Sequence, residues 1–348
     1  MEKNFADIFS REPDRIIDGS YCFNVSWWDE YYINASLNQT RSSDEIHRKR
    51  NNYLSSLSFH WFNRQLDNEC NDNFTEIDFI SFCRGKYQYP EFDSIIRKIA
   101  SESKPVLDIA SCTGMGLIPF IAKLNPLVPC LVSDIDINII ECIRSYIDNN
   151  LPEFNISTAS FDNFDIPFQD SSIDYVTSVE GLSSSFIISD KDKKYTDELF
   201  NQSEKVLHEI YRILKPGGFF VTFELNFEYF LDLIQIHQCC SENGKIFGIF
   251  SYEELKCVSQ FLPKESWTEK FLSAGFELVT ERENSMTISP DFVMALLYRI
   301  TKNHNIHNWE NRNWREVLQI SGVSELDIEK NGIVFKEKSS FYILRKPL

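Results

Sequence analysis

The sequence is short of positive charge. Its 348 residues carry 35 Lys and Arg against 52 Asp and Glu, a formal net charge of −17 at neutral pH. Acid spread over the surface repels phosphate backbones, so nucleic acid and anionic membranes are poor partners. The densest basic block, Arg48-Lys49-Arg50, is too short to override the acid around it. Long apolar runs are also missing. None approaches the ~20 residues needed to span a bilayer. Residues 1–14, MEKNFADIFSREPD, lack the apolar core of a signal peptide. Nine cysteines are scattered, odd in number and without a CxxC pair. Free thiols in a reducing cytoplasm fit that usage best. The six histidines fall in no ligand pattern, so no metal site is expected. No Lys-Ser/Thr pair follows the glycines, which disfavours a Walker-type phosphate loop. No internal repeat or low-complexity linker breaks the chain.

Aromatics are plentiful: 29 Phe, 14 Tyr and 6 Trp. They suggest a bulky core; an aromatic-lined cavity is one further reading, and a composition rich in Phe, Ile and Asn with no special purpose is the favoured one. The chain is organised around residues 104–120, KPVLDIASCTGMGLIPF. A short apolar run holds an acid near its end, Asp108. Small residues follow at Ala110, Ser111, Thr113, Gly114 and Gly116, and then an apolar segment at helical spacing. A buried strand, a tight turn of small residues and a helix start make a nucleotide-binding crevice, because backbone can approach a ligand and the helix start offers free N–H groups.

A second apolar strand, 129–132, ends in Ser133-Asp134-Ile135-Asp136. An acid at such a tip can accept both ribose hydroxyls through one carboxylate. Asp136 follows Asp108 by 28 residues, longer than the ~20 of the dinucleotide fingerprint. Residues 156–160 are a third strand candidate and 173–177 a fourth, which runs into Ser178-Val179-Glu180-Gly181. A carboxylate at the carboxyl end of a parallel strand points toward substrate, so Glu180 is the leading polar group for an acceptor; an exposed loop acid is the equal alternative. An amphipathic helix over 196–214 meets Lys215-Pro216-Gly217-Gly218, which turns the chain into strand 219–223. Glu224, Tyr229 and His237 lie just beyond, over the crevice mouth, where they could reach substrate.

VLDIASCTGMG resembles the first motif of class I S-adenosylmethionine (SAM) dependent methyltransferases, VLD-hydrophobic-G-x-G-x-G. Ala110 and Cys112 stand where the family has its first two glycines, and Gly114 matches the third. Cys112 puts a Cβ and a thiol where backbone should pass close to the ligand. FDNFDIPFQDSSIDYV (161–176) resembles the family's D-a-x-x-LPF-x-D-x-x-FD-x-V segment, and EIYRILKPGGFFVTFE (209–224) and SAGFELV (273–279) match further stretches. The resemblance implies SAM as cofactor. Asp136 and Ile137 would serve the ribose, Asp162 the adenine amino group, and Asn163 would lie beside the ring. Asp108, Ala110, Ser111, Cys112, Gly114 and Ser178 would line the cofactor crevice, with Arg84 or Tyr87 at the SAM carboxylate. Read without the family, Asp162 is a turn former. The family's His pair after the fourth strand is absent, which leaves Glu180, Tyr229 and His237 as the catalytic candidates.

The expected fold is α/β: a Rossmann-like, doubly wound, seven-stranded sheet. Residues 1–85 are expected as a helical, aromatic-rich cap, 86–284 as the SAM-binding core, 285–336 as a helical insertion closing the acceptor pocket, and 337–348 as the last core strand. The expected activity is methyl transfer to N, O or C of a small-molecule acceptor. Three rivals stay open at this point. One is a same-fold enzyme that cyclises SAM and releases methylthioadenosine; another is a non-catalytic SAM-fold scaffold. The third, an NAD enzyme, is opposed by the LPF-like and LKPGG segments.

Overall fold

A computed structural model describes residues 5–23, 90–111, 116–179, 181–184, 195–226, 264–288, 327–329 and 332–348. A 3-10 turn, Phe5–Ile8, opens the chain. The strands are β1 (Arg15–Ile17), β2 (Ser20–Cys22), β3 (Val106–Asp108), β4 (Cys130–Asp134), β5 (Ile156–Ser160), β6 (Ile173–Val179), β7 (Leu214–Leu225), β8 (Glu277–Ile288), β9 (Asp327–Glu329) and β10 (Gly332–Arg345). The helices are α1 (Pro90–Glu102), α2 (Ile118–Leu124), α3 (Ile137–Asn150), α4 (Gly181–Ser184), α5 (Tyr195–Ile213) and α6 (Lys264–Ser273).

The strands form one sheet in the order β1-β2-β5-β4-β3-β6-β7-β10-β8, with β9 paired to β10. Strands β5, β4, β3, β6 and β7 are parallel, and β10 runs antiparallel to both β7 and β8. The order turns outward from β3 in both directions, so the crevice lies beyond the carboxyl ends of β3, β4 and β6. The α/β doubly wound fold is as expected. The strand number is not: among the described residues the sheet has ten strands, not seven. The extra three are β1 and β2, which continue the sheet past β5, and β9.

Central strands read as apolar runs because both faces are covered. On one face Leu107, Leu131, Val176 and Phe220 pack against Val206 and Ile210 of α5 and Phe271 of α6. On the other, Val106, Val132, Val221 and Phe341 pack against Ile95 of α1 and Ile143 of α3. Helix α1 starts on Pro90, with Glu91 and Asp93 in its first turn, where the missing N–H costs nothing and acid meets the helix dipole. Its buried positions, Phe92, Ile95, Ile96 and Ile99, form one stripe. Helix α5 ends at Ile213, and Lys346 Nζ donates to the Tyr211 and Leu214 carbonyls at that end, 2.8 Å each.

Of the expected N-terminal cap, residues 5–23 are described. They form the 3-10 turn and a β-hairpin, not helix. The rest of that expected cap, 24–85, lies outside the described residues. Strand β10 starts at Gly332, ahead of the expected 337, and β8 runs on to Ile288. They pair from Glu277 and Arg345 out to Ile288 and Ile333, so both ends of the 285–336 segment belong to the sheet.

One side chain ties the 161–172 connection to α5. Arg212 donates to the carbonyls of Ile166 and Phe168, both at 2.7 Å, and pairs with Glu209 and Asp170 at 2.7 and 2.8 Å. Glu209 in turn accepts the Ile166 N–H at 3.0 Å. Arg212→Ala leaves two carbonyls and a carboxylate short of donors, at a cost of roughly 2–3 kcal/mol. Arg212→Lys should recover less than half, since an ammonium cannot span the fork. Urea unfolding of the two variants checks this; equal stability of Lys and wild type would refute the fork.

Candidate functional site

The turn after β3 is built around Asp108, which is fully buried. Its carboxylate accepts from Ser111 Oγ at 2.5 Å and from Thr177 Oγ1. Its backbone carbonyl accepts from Ser133 Oγ at 2.9 Å. Burial pushes the carboxyl up to about 6, opposed by the hydrogen bonds from Ser111, Thr177 and the Leu117 N–H, and helped by the nearby Asp134 charge. Asp108 therefore anchors the turn from below: it joins β3, the following turn, β6 and the head of α2.

Ala110 follows in the left-handed region, φ 49°. A residue with a Cβ is strained there by about 1–2 kcal/mol. The chain must bend this way where the family has glycine, and alanine is the smallest departure that keeps the bend. Ser111 N–H donates to the Ser133 carbonyl at 2.9 Å, which fastens the turn to β4. At Gly116, φ is +52° and an added Cβ would lie 2.2 Å from Asp108 Oδ1. Gly181 is equally closed: a Cβ there would meet Ser178 Oγ at 2.2 Å, the Ala110 Cβ at 2.9 Å and the Ile109 carbonyl at 3.0 Å. Ser178 and Ala110 are thus brought together at the mouth of the crevice. Ser178 Oγ is buried and has no hydrogen-bond partner among the described residues.

At the tip of β4 the two acids divide. Asp136 is the N-cap of α3. Its Oδ1 accepts from the Asn138 N–H and from Asn138 Nδ2, each at 2.9 Å, and the residue is 1% exposed. Asp134 is the last residue of β4, half-buried, and its Oδ1 accepts the Asp136 N–H at 3.0 Å. Asp134 thus ends the strand itself, while Asp136, expected at the ribose, fills the cap position one residue ahead of Ile137.

Beyond β5, Asp162 Oδ1 accepts the Phe164 N–H at 2.9 Å and its carbonyl accepts the Asp165 N–H at 3.0 Å. It forms an Asx turn, with Asn163 half-buried inside it. Near the end of β7, Glu224 is buried, and its Oε1 accepts from Thr222 Oγ1 at 2.8 Å and from the Leu182 N–H at 3.4 Å. The structure therefore places Asp108, Ala110, Ser111, Asp136, Ile137, Asp162, Asn163 and Ser178 at or just beyond the carboxyl ends of β3, β4, β5 and β6. Arg84, Tyr87, Cys112, Gly114, Glu180, Tyr229 and His237 lie outside the described residues. Among the described residues no group of three or more His, Cys, Asp or Glu could hold a metal ion. No described helix is long and apolar enough to cross a membrane.

The described strand tips carry Asp134, Asp136 and Asp162, all acceptors, above the buried Asp108. Such a set fits hydrogen donors, namely ribose hydroxyls and an exocyclic amine, and a cationic tail. The set suits the adenosine part of a nucleoside cofactor such as SAM.

This sheet order and this turn are those of a Rossmann-like, doubly wound α/β fold. Residues 107–222 match the sequence model of the family described as "Methyltransferase domain", and the cofactor such a domain takes is SAM. The ubiquinone/menaquinone biosynthesis C-methyltransferase UbiE of Pseudoalteromonas translucida is 24% identical over 186 residues, 53% of this chain and 64% of that protein. UbiE of Haemophilus ducreyi is 28% identical over 190 residues, 51% of this chain and 66% of that protein. The match thus spans just under two thirds of the length of these relatives. Among solved structures, a SAM-dependent methyltransferase from Methanosarcina mazei superposes with a TM-score of 0.44 at 15% identity, over 75% of this chain and 98% of that one.

Proposed function

We propose that the protein is a SAM-dependent methyltransferase that methylates N, O or C of a small-molecule acceptor. The observation that carries this reading is the row of acceptor side chains at the tips of β4 and β5, beside a small-residue turn locked by Asp108. The UbiE relatives are C-methyltransferases, which favours a carbon acceptor. Three buried free thiols, Cys22, Cys130 and Cys142, support a reducing compartment, and we place the protein in the cytoplasm.

When bound, the cofactor supplies a methyl group already activated on a sulfonium. The chain's task is to align two reactants and exclude water, which is worth up to ~7–11 kcal/mol in favourable cases. In this reading Asp134 accepts from the ribose hydroxyls, with Asp136 and Ile137 holding α3 behind it. Asp162 accepts the adenine amino group and Asn163 packs at the ring. Ala110, Ser111, Cys112, Gly114 and Ser178 border the methionine part, whose carboxylate meets Arg84 or Tyr87. The acceptor lies over the ends of β6 and β7, where Glu180, Glu224, Tyr229 and His237 are the candidate polar groups, and the 285–336 segment closes over it. A base is needed only where the acceptor atom carries a proton of high pKa.

Calorimetric titration with SAM and S-adenosylhomocysteine tests the reading. Asp134→Ala and Asp162→Ala should each weaken binding by about tenfold or more, one lost charge-assisted hydrogen bond. Asp136→Ala should cost about 1 kcal/mol of stability through the lost cap, with a smaller effect on binding than Asp134→Ala. Wild-type affinity in both the Asp134 and Asp162 variants would remove the cofactor assignment.

A further inference from the structure

The N-terminal segment is built onto the edge of the sheet that carries the adenine-side turn, and it holds that turn from both ends. Upstream of the turn, β2 pairs with β5 in parallel, Tyr21 opposite Ala159 and Cys22 opposite Ser160. The Phe23 N–H donates to the Ser160 carbonyl at 2.9 Å, and Ser20 Oγ meets Thr158 Oγ1 at 2.7 Å. Downstream, Phe9 bridges to Phe168. The Ser10 N–H donates to the Pro167 carbonyl at 3.1 Å, the Gln169 N–H to the Ile8 carbonyl at 3.0 Å, and Gln169 Nε2 to the Phe9 carbonyl at 3.1 Å. Arg11 pairs with Asp165 at 2.7 Å.

Phe9 is the centre of this arrangement. It is 7% exposed, and its ring meets those of Tyr21, Phe23 and Phe168 at 4.9–5.1 Å. Phe23 and Phe168 both touch Phe161, the residue that enters the turn. The segment is therefore a splint: one arm fixes residue 160, the other fixes residues 165–169, and Asp162, Asn163 and Phe164 span the gap. A short loop with both ends fixed has little freedom to re-aim its carboxylate.

We propose that residues 5–23 set the protein's selectivity for adenine over other purines by holding the Asp162–Asp165 turn in one geometry, with Phe9 as the positioning residue. This rests on Asp162 being the acceptor of the adenine amino group. Hypoxanthine, with a carbonyl in place of that amine, presents an acceptor to an acceptor, and a fixed carboxylate rejects it. A loosened turn can rotate the carboxylate away or admit a water, and the rejection fades.

The test uses the full chain and two ligands, S-adenosylhomocysteine and S-inosylhomocysteine, titrated well below the melting temperature. Wild type should prefer the adenine ligand by at least about 30-fold, the scale for a site built around one substrate donor. Phe9→Ala should cut that preference at least fivefold. Because a buried Phe→Ala change can unfold a domain, Arg11→Ala/Gln169→Ala provides a second, surface-only variant that removes two of the tethers. It should cut the preference about twofold to threefold. Hydrogen exchange of the ligand-free protein should show faster exchange at 163–165 in both variants, with α6 unchanged. A merely structural splint would lower the melting temperature and leave the preference and the local exchange as in wild type, and that result overturns the proposal. Failure of wild type to bind S-adenosylhomocysteine at all is a different result, which removes the cofactor reading and this inference with it.

Discussion

Replacing Gly116 with alanine is expected to be among the most damaging single-atom additions in the described part of the chain. The new Cβ would sit 2.2 Å from Asp108 Oδ1, 2.3 Å from Oδ2 and 2.5 Å from Cγ. Something has to move, and neither partner is free to do so. The backbone at Gly116 has φ +52°, where a Cβ alone costs about 1–2 kcal/mol. The carboxylate is held by Ser111 Oγ and Thr177 Oγ1, and turning it away breaks buried hydrogen bonds at about 1–3 kcal/mol each. The expected loss is roughly 3–5 kcal/mol, with binding of S-adenosylhomocysteine abolished or weakened at least a hundredfold. Shortening the obstacle should relieve the clash, so Asp108→Ala/Gly116→Ala should be less damaged than the sum of the two single variants by at least about 1 kcal/mol, the scale for residues in direct contact. Additive losses in urea unfolding would mean that the two residues do not meet as described.

That contact shows what was legible in the sequence and what was not. The order strand, small-residue turn, helix was readable from VLDIASCTGMG, because a buried strand must be apolar and a tight turn must be small. The role of Asp108 was not. An acid at the end of a strand reads as a ligand group, and only the fold shows that it points back into the turn, enclosed by Ser111, Thr177 and Gly116. The division of labour between the two acids after β4 was hidden for a related reason. Asp134 and Asp136 are equivalent in composition, and the choice between them depends on which one caps α3. Asp162 was open to two readings, turn former or base contact. The Asx turn shows that the first holds, and the second rests on the proposed function. The β1–β2 addition left the weakest trace. Its strands are three residues each, too short for alternation to register, and β2 follows the sheet only because β5 offers an open edge.

Asp108→Asn is expected to change how stability depends on pH more than any other isosteric exchange at the site. In the fold the Asp108 carboxyl titrates near 6, well above its ordinary value of 3.8. The folded state therefore holds a proton, between about pH 4 and 6, that the unfolded state has released. Stability attached to this group is fully present below pH 4 and is lost as pH rises through 6, the reverse of a salt-bridged carboxylate. Two pH units of displacement correspond to about 3 kcal/mol. Glu102 shows the opposite case: Lys104, Lys98 and Tyr175 donate to it and hold it down at about 2, so its contribution disappears only as pH falls below the ordinary 4.5. The two windows barely overlap, and the difference between Asn and wild type isolates Asp108. Asparagine keeps the shape, accepts from one hydroxyl and donates to the other, since Ser111 and Thr177 can each reverse their hydroxyl. The variant should match wild type below about pH 4 and exceed it by up to about 3 kcal/mol at pH 7.5, where wild type carries a buried charge. Urea unfolding at half-unit steps measures the gap directly. A gap that stays constant across this range would show that the carboxyl does not titrate there, and that the hydrogen bonds from Ser111, Thr177 and the Leu117 N–H outweigh its burial.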